Sequence, residues 1–188
     1  RAAEFNPRLL GIVTNPFYFA RKGLRAELER FAPSVKGRLL DVGCGQMPYR
    51  ELFNVDEYLG LEIDRDENRI TKCADFFYDG STMPFEDSAF DAVLCNQVLE
   101  HVFSPREFLG ELHRVLRPGS SLILTVPFVW DEHEAPWDFA RYTTFGLRHL
   151  REQAGFEVIE QRRTCADARA LFQLANAYLF RALHSRLR

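Results

Sequence analysis

The chain is predicted to be an α/β protein built on a doubly wound, mostly parallel sheet, the Rossmann-like arrangement. Three observations predict it. From residue 38 onward, short apolar runs alternate with segments whose apolar residues recur at helical spacing, the pattern of β-α-β units with right-handed crossovers. The run 90–95 is apolar almost throughout, as a strand covered on both faces must be. Glycine and proline punctuate the elements, at Pro33, Gly37, Gly43, Gly45, Pro118-Gly119 and Gly155. With 188 residues, 46% of them hydrophobic, one domain with a substantial core is expected over 1–188. Its parts are a helical lead-in (1–37), a core (38–128), a loop, helix and strand (129–164) and a C-terminal helix (165–188).

In order along the chain, residues 15–31 carry Phe17, Phe19, Ala20, Leu24, Leu28 and Phe31 at the spacing of an amphipathic helix. A first strand covers 38–42, a short helix lies near 49–53 and a second strand covers 57–63. A third strand is expected within 70–78 and a fourth over 90–95. Ser104-Pro105-Arg106-Glu107 reads as a capping box with proline at the first helical position. Phe108, Leu109, Leu112, Val115 and Leu116 then give one apolar helical face, ended at Arg117-Pro118-Gly119. A fifth strand covers 121–126, a helix 144–154 and a sixth strand 156–161. No seventh strand is readable; an extra helix closes the chain instead, with Leu171, Leu174, Ala175, Tyr178, Leu179 and Leu183 on one face and Arg169, Arg181, Arg186 and Arg188 around it.

Composition excludes several classes. A formal charge of −3 gives no global reason to expect a nucleic-acid partner. The cysteines, Cys44, Cys73, Cys95 and Cys165, are scattered, which suits a reducing compartment and not a disulfide framework. No metal site is expected. Cysteine and histidine are not clustered in sequence, and Glu132-His133 does not open an H-E-x-x-H motif because position 137 is Trp. No apolar run is long enough to span a bilayer and no signal peptide is read, so the protein is expected to be cytoplasmic. The chain begins with Arg1, as a trimmed or partial chain would.

Ligands of doubly wound sheets bind beyond the carboxyl ends of the strands, at the switch in strand order. After the first strand comes Asp41-Val42-Gly43-Cys44-Gly45, where the glycines let the backbone turn sharply and approach a ligand. Glu62 ends the second strand roughly 20 residues on, the usual offset for an acid that bonds ribose hydroxyls. Asp79-Gly80 follows the third strand, and a carboxylate there can accept from an adenine amine; an Asp-Gly turn is the alternative. Two adenosine cofactors compete. A dinucleotide needs a third glycine to open the phosphate-binding helix, but Pro48 stands there; S-adenosylmethionine (SAM) has no phosphate and does not need it.

Asp41 through Gly45, Gly60-Leu61-Glu62, Asp79 through Phe85, Phe90-Asp91 and Val98-Leu99-Glu100-His101-Val102 resemble the class I SAM-dependent methyltransferases of the methyltransferase 11 type, over about 38–128. The resemblance implies SAM as methyl donor and S-adenosylhomocysteine as product. By it, Gly43, Cys44 and Gly45 touch the methionine portion, with Asp41 beside its amino group. Glu62, with Ile63, binds the ribose, Asp79, with Gly80, the adenine, and Asn96 and Gln97 line the pocket floor. The family often has Asp where this chain has Glu62.

Residues 126–143 follow the fifth strand and concentrate aromatic and ionisable side chains in one expected loop, the usual place for binding and catalysis. A structural loop held shut by Arg-Asp pairs is the alternative. The pattern from His133 to Leu147, with Asn15-Pro16-Phe17-Tyr18 and Pro48-Tyr49-Arg50, resembles a subgroup often encoded among cell-surface polysaccharide genes, which implies a small-molecule or glycan acceptor. Methyl transfer to oxygen needs an acceptor placed near the methyl carbon and a base for its proton. His133 is the first choice for the base and His101 the second. Arg141 is expected to hold an anionic acceptor group, and Asp138 to orient His133 or Arg141. A SAM-binding pseudoenzyme and a nicotinamide-dependent oxidoreductase are the competing readings. The terminal helix is expected to pack on its own domain or on a second copy, a homodimer, ahead of a membrane surface.

Overall fold

The computed structural model describes Phe5 and residues 15–185, with the side chains of 183–185 outside that description. The expectations placed on Leu183, Arg186 and Arg188 lie outside it too. Contacts divide the chain into two compact units, Ser34–Gln161 and the pair of segments Arg1–Pro33 and Arg162–Arg188.

The larger unit is built on five strands: β1 (Arg38–Val42), β2 (Glu57–Ile63), β3 (Phe76–Tyr78), β4 (Phe90–Asn96) and β5 (Leu116–Thr125). They lie in the order β3-β2-β1-β4-β5, every neighbouring pair parallel. This is the doubly wound sheet expected. The order reverses between β1 and β4, so the switch point lies at their carboxyl ends, at Val42 and Asn96. The two central strands are buried on both faces: Leu39, Leu40 and Val42 on β1, Phe90 and Ala92 through Cys95 on β4.

Helices and turns connect the strands. The helix α2 (Asp66–Thr71) follows β2, and α3 (Pro105–Val115) buries Phe108, Leu109, Leu112 and Val115 against the strands. Each such side chain contributes on the order of 2 kcal/mol on burial. The helix α4 (Thr144–Gln153) starts at Thr143, whose side chain accepts from the Gly146 amide, and buries Leu147. A 3-10 turn, Leu99–His101, follows β4 directly.

The third strand falls within the expected 70–78, at its end, because residues 66–71 form α2; Asp66 and Glu67 sit in the first turn of that helix, where carboxylates favour a helix start, and Ile70 is exposed. Three expectations are corrected. The capping box at Ser104 is not closed: Pro105 opens α3, but the Ser104 side chain makes no cap hydrogen bond. Strand β5 begins five residues early, at Leu116, which pairs with Phe90 across an irregularity in register. Residues 156–161 form no strand. A strand needs a neighbour for its amides and carbonyls, and among the described residues no ladder beyond β5 offers one.

In the smaller unit, α1 (Tyr18–Phe31) packs against α5 (Ala168–Ser185). The face that α5 turns inward is not the expected apolar stripe. Gln173, 4% exposed, and Ala177 are buried, whereas Leu171 is 72% exposed and Tyr178 and Leu179 lie outside. The reason is polar: the Gln173 Oε1 accepts from the amides of Phe19 and Ala20 at 2.9 and 3.1 Å, and its Nε2 donates to the Pro16 carbonyl. Among the described residues no helix is long and apolar enough to cross a membrane.

Candidate cofactor and acceptor site

The glycine turn is tied to the next strand: the amides of Gly43 and Cys44 donate to the Leu61 carbonyl at 2.8 and 3.3 Å. Gly43 (φ +68°) and Gly45 (φ +55°) both occupy the left-handed region, where a Cβ is disfavoured. Their surroundings differ. A Cβ on Gly43 would run into Val98, while one on Gly45 would meet nothing within 4 Å. Gly43 is therefore required by packing, and Gly45 borders open space.

Glu62 reaches that space from the end of β2. Its Oε2 accepts from the Gly45 amide at 3.1 Å and its Oε1 from the Ile63 amide at 3.1 Å. Asp41, on β1, is buried and accepts from the Tyr58 hydroxyl at 2.6 Å. Burial pushes its pKa up to about 7 against the pull of that hydrogen bond, with the Glu62 charge adding to the rise. Burial, reinforced by the Asp41 charge, also pushes the Cys44 thiol up, so it is no nucleophile. Asp79 is exposed; its Oδ1 accepts from the amide and hydroxyl of Ser81 at 2.9 and 2.6 Å, which hold its pKa down, and Gly80 follows at φ +89°. The turn geometry weighed for Asp79 is thus present. At the end of β4, Asn96 Oδ1 accepts from the Thr125 hydroxyl at 2.6 Å. Gln97, at φ +58°, donates its amide to the Thr125 carbonyl at 3.0 Å.

The second cluster joins the turn after β4 to the loop after β5. The rings of His101 and His133 meet edge to face, centroids 4.8 Å apart. His101 Nδ1 lies 2.7 Å from the Trp137 carbonyl. His133 Nδ1 lies 3.1 Å from the Asp131 carbonyl and 3.2 Å from Asp138 Oδ2. Asp138 also accepts from the His133 amide at 3.0 Å and from both ends of the Arg141 fork at 2.6 and 2.7 Å. That fork holds the Asp138 carboxyl well below the usual range. Asp138 therefore contacts both partners named for it. The Arg141 fork also reaches the carbonyls of Asp131 and Ala140, and its Nη2 lies 3.4 Å from His133 Nδ1, so it clasps the loop.

Two residues outside the expected site organise it. Glu100 is 1% exposed. Its backbone carbonyl accepts from the amides of Phe139 and Ala140 at 2.8 and 3.2 Å, stapling the loop to the turn after β4. Burial pushes its carboxyl up to about 7, opposed first by its own backbone amide and then by the Arg141 charge. Arg65, just past β2, lies 4.4 Å from the Trp137 ring centroid, a cation–π contact linking the cofactor side to the same loop. The Glu-His pair after the fourth strand was the visible signal for Glu100; nothing local marks Arg65.

Residues 40–124 match the family model described as "Methyltransferase domain". A Mycolicibacterium smegmatis protein named "Probable S-adenosylmethionine-dependent methyltransferase" is 26% identical over 79% of this chain and 62% of its own length. An O-methyltransferase of Penicillium expansum is 28% identical over 70% of this chain and 56% of its own. The chain thus spans about three fifths of these two relatives. A solved SAM-dependent methyltransferase from Archaeoglobus fulgidus superposes with a TM-score of 0.57 at 18% identity, covering 88% of this chain and 89% of that one; at that identity the likeness bears on the fold. The parallel sheet, the glycine turn answered by an acid on β2, and the match over residues 40–124 agree: this segment is similar to the class I SAM-dependent methyltransferases, which implies SAM as the cofactor.

Proposed function

We propose that this protein transfers the methyl group of SAM to a hydroxyl oxygen of a small-molecule or carbohydrate acceptor, held under the loop 131–141. The observation that carries the reading is the open space at Gly45 with the Glu62 carboxylate reaching into it, at the switch point of the sheet. In the free protein Glu62 holds the Gly45 amide; a ribose brings hydroxyl donors that its second lone pairs can accept. Asp41 lies on β1 two residues before Gly43, where it favours the cofactor's ammonium. Asp79 retains one carboxylate oxygen for the adenine amine, and Asn96 and Gln97 complete the floor.

Across the carboxyl ends of the strands, the imidazoles of His133 and His101 stand ready to take the acceptor's proton. As the acceptor oxygen bonds to the methyl carbon, the carbon–sulfur bond breaks and its electron pair stays on sulfur, giving S-adenosylhomocysteine. The aromatic loop with its Trp130 and Trp137 suits a sugar face, which supports the carbohydrate class and a role in surface-polysaccharide assembly, at the cytoplasmic side where SAM is available.

Calorimetry with S-adenosylhomocysteine tests the cofactor site. Glu62→Ala is expected to weaken binding by tenfold or more, because a buried ligand hydroxyl without its partner costs about 1–3 kcal/mol. Unchanged affinity would sink the assignment. Binding that survives while isotope-labelled SAM gives no product with any glycan pool would favour a SAM-binding pseudoenzyme.

A further inference from the structure

Glu100, His101 and His133 each place one ligand-capable atom within 4.8 Å of the others. They come from two segments, the turn after β4 and the loop after β5. The geometry points to a binding site for one divalent transition-metal ion, held by the Glu100 carboxylate and the Nε2 atoms of His101 and His133.

Three independent features converge on it. The Glu100 carboxyl is 1% exposed, and its Oε2 is buried with no hydrogen-bond partner. A buried carboxylate oxygen is costly unless a donor or a cation answers it. The other carboxylate oxygen, Oε1, lies 3.9 Å from His101 Nε2. Second, both imidazoles are already fixed through their other nitrogen. His101 Nδ1 faces the Trp137 carbonyl, and His133 Nδ1 faces the Asp131 carbonyl and Asp138 at 3.1 and 3.2 Å, nearer than the Arg141 Nη2 at 3.4 Å. An acceptor on Nδ1 sets the tautomer that carries its proton there and leaves the Nε2 lone pair free, the outer-shell arrangement that metal-ligating histidines use. Third, the donors suit one class of ion. Two imidazoles and one carboxylate favour zinc, cobalt, manganese or iron over magnesium or calcium, which prefer oxygen alone. Ligand distances of about 2.0–2.2 Å require the three donors to close in from their present spacing by roughly an ångström, a movement the half-buried His133 can supply from its loop.

Three protein ligands leave a coordination position open. Its use in catalysis rests on the methyl-transfer reading; the ion site itself does not. In that use, the acceptor hydroxyl coordinates at the open position and loses its proton to solvent. The coordinated oxygen then bonds the methyl carbon as the carbon–sulfur pair returns to sulfur. With the ion bound, His133 and His101 would both serve as ligands in place of the proton-accepting role they hold without it.

The test is a Co2+ titration of the chelator-treated full chain, followed by d–d absorption and by displacement with Zn2+, with S-adenosylhomocysteine calorimetry on the same samples. One Co2+ per chain is expected. Its affinity should fall at least tenfold in His133→Ala and in Glu100→Gln, while S-adenosylhomocysteine affinity is retained. Absent d–d bands, or Co2+ affinity unchanged in both variants, overturns the site. If Glu100→Gln fails to fold by circular dichroism, His101→Ala replaces it with the same two outcomes. Intact Co2+ binding in a wild-type chain that ignores S-adenosylhomocysteine would instead overturn the methyl-transfer reading alone.

Discussion

Asp41 shows how a single carboxyl can make the fold depend on pH. It is buried beneath the glycine turn with the Tyr58 hydroxyl as its hydrogen-bond donor, and burial lifts its pKa to about 7. A group whose folded pKa lies above its unfolded value of 3.8 binds protons more tightly when folded. Its stabilising contribution is full below about pH 4, declines as pH rises and is gone once pH passes about 7. Asp41→Asn removes that titration. Urea denaturation should show the variant gaining on the wild type, by on the order of 2 kcal/mol, between pH 5 and pH 8. An equal difference at both values would mean that Asp41 ionises normally. The strand ends that carry Gly43, Gly45, Glu62 and Asp79 were legible in the sequence because such ends can be read from local pattern. Glu100 was not. Its weight comes from tertiary contact with a loop some forty positions on, and the motif that contains it shows only an acid beside a histidine.

Among the elements, β1, β2, β4 and α3 could be read from sequence because hydrophobic period and burial agree there. The misreadings share one cause: whether an element forms depends on its neighbours. Residues 156–161 alternate well enough, yet among the described residues no strand stands beside them to share a ladder. On α5 the apolar stripe was visible, but the choice of inward face was made by Gln173, whose amide meets two backbone donors and one carbonyl. Those donors are the second and third amides of α1, whose N-cap, Phe17, offers no side-chain acceptor. The capping that α1 lacks locally is thus supplied by another helix. Gln173→Ala should lower the stability of the chain by about 1–2 kcal/mol, read as a lower urea midpoint. Gln173→Glu should recover part of the loss, since a carboxylate still accepts at a helix N-terminus. No loss in the alanine variant would mean that water caps α1 equally well.

For the whole molecule, the cofactor should act as a stabiliser by mass action, because it binds the folded chain and not the unfolded one. At a hundredfold excess over its dissociation constant S-adenosylhomocysteine should add about 2.7 kcal/mol, visible as a rise in Tm by scanning fluorimetry. NAD should leave Tm where it was, since Pro48 interrupts the phosphate-binding turn; a shift with NAD alone would restore the oxidoreductase reading. The loop over the site brings a further consequence. Its amides at Phe139 and Ala140 share one acceptor, the carbonyl of Glu100, so lifting the loop off that carbonyl releases both. In heavy water these two amides become a clock for the opening of the loop. Their deuterium uptake, followed by mass spectrometry, should proceed together at one rate, and a ligand that binds beneath the loop should slow it, timing the loop's opening without any knowledge of what that ligand is.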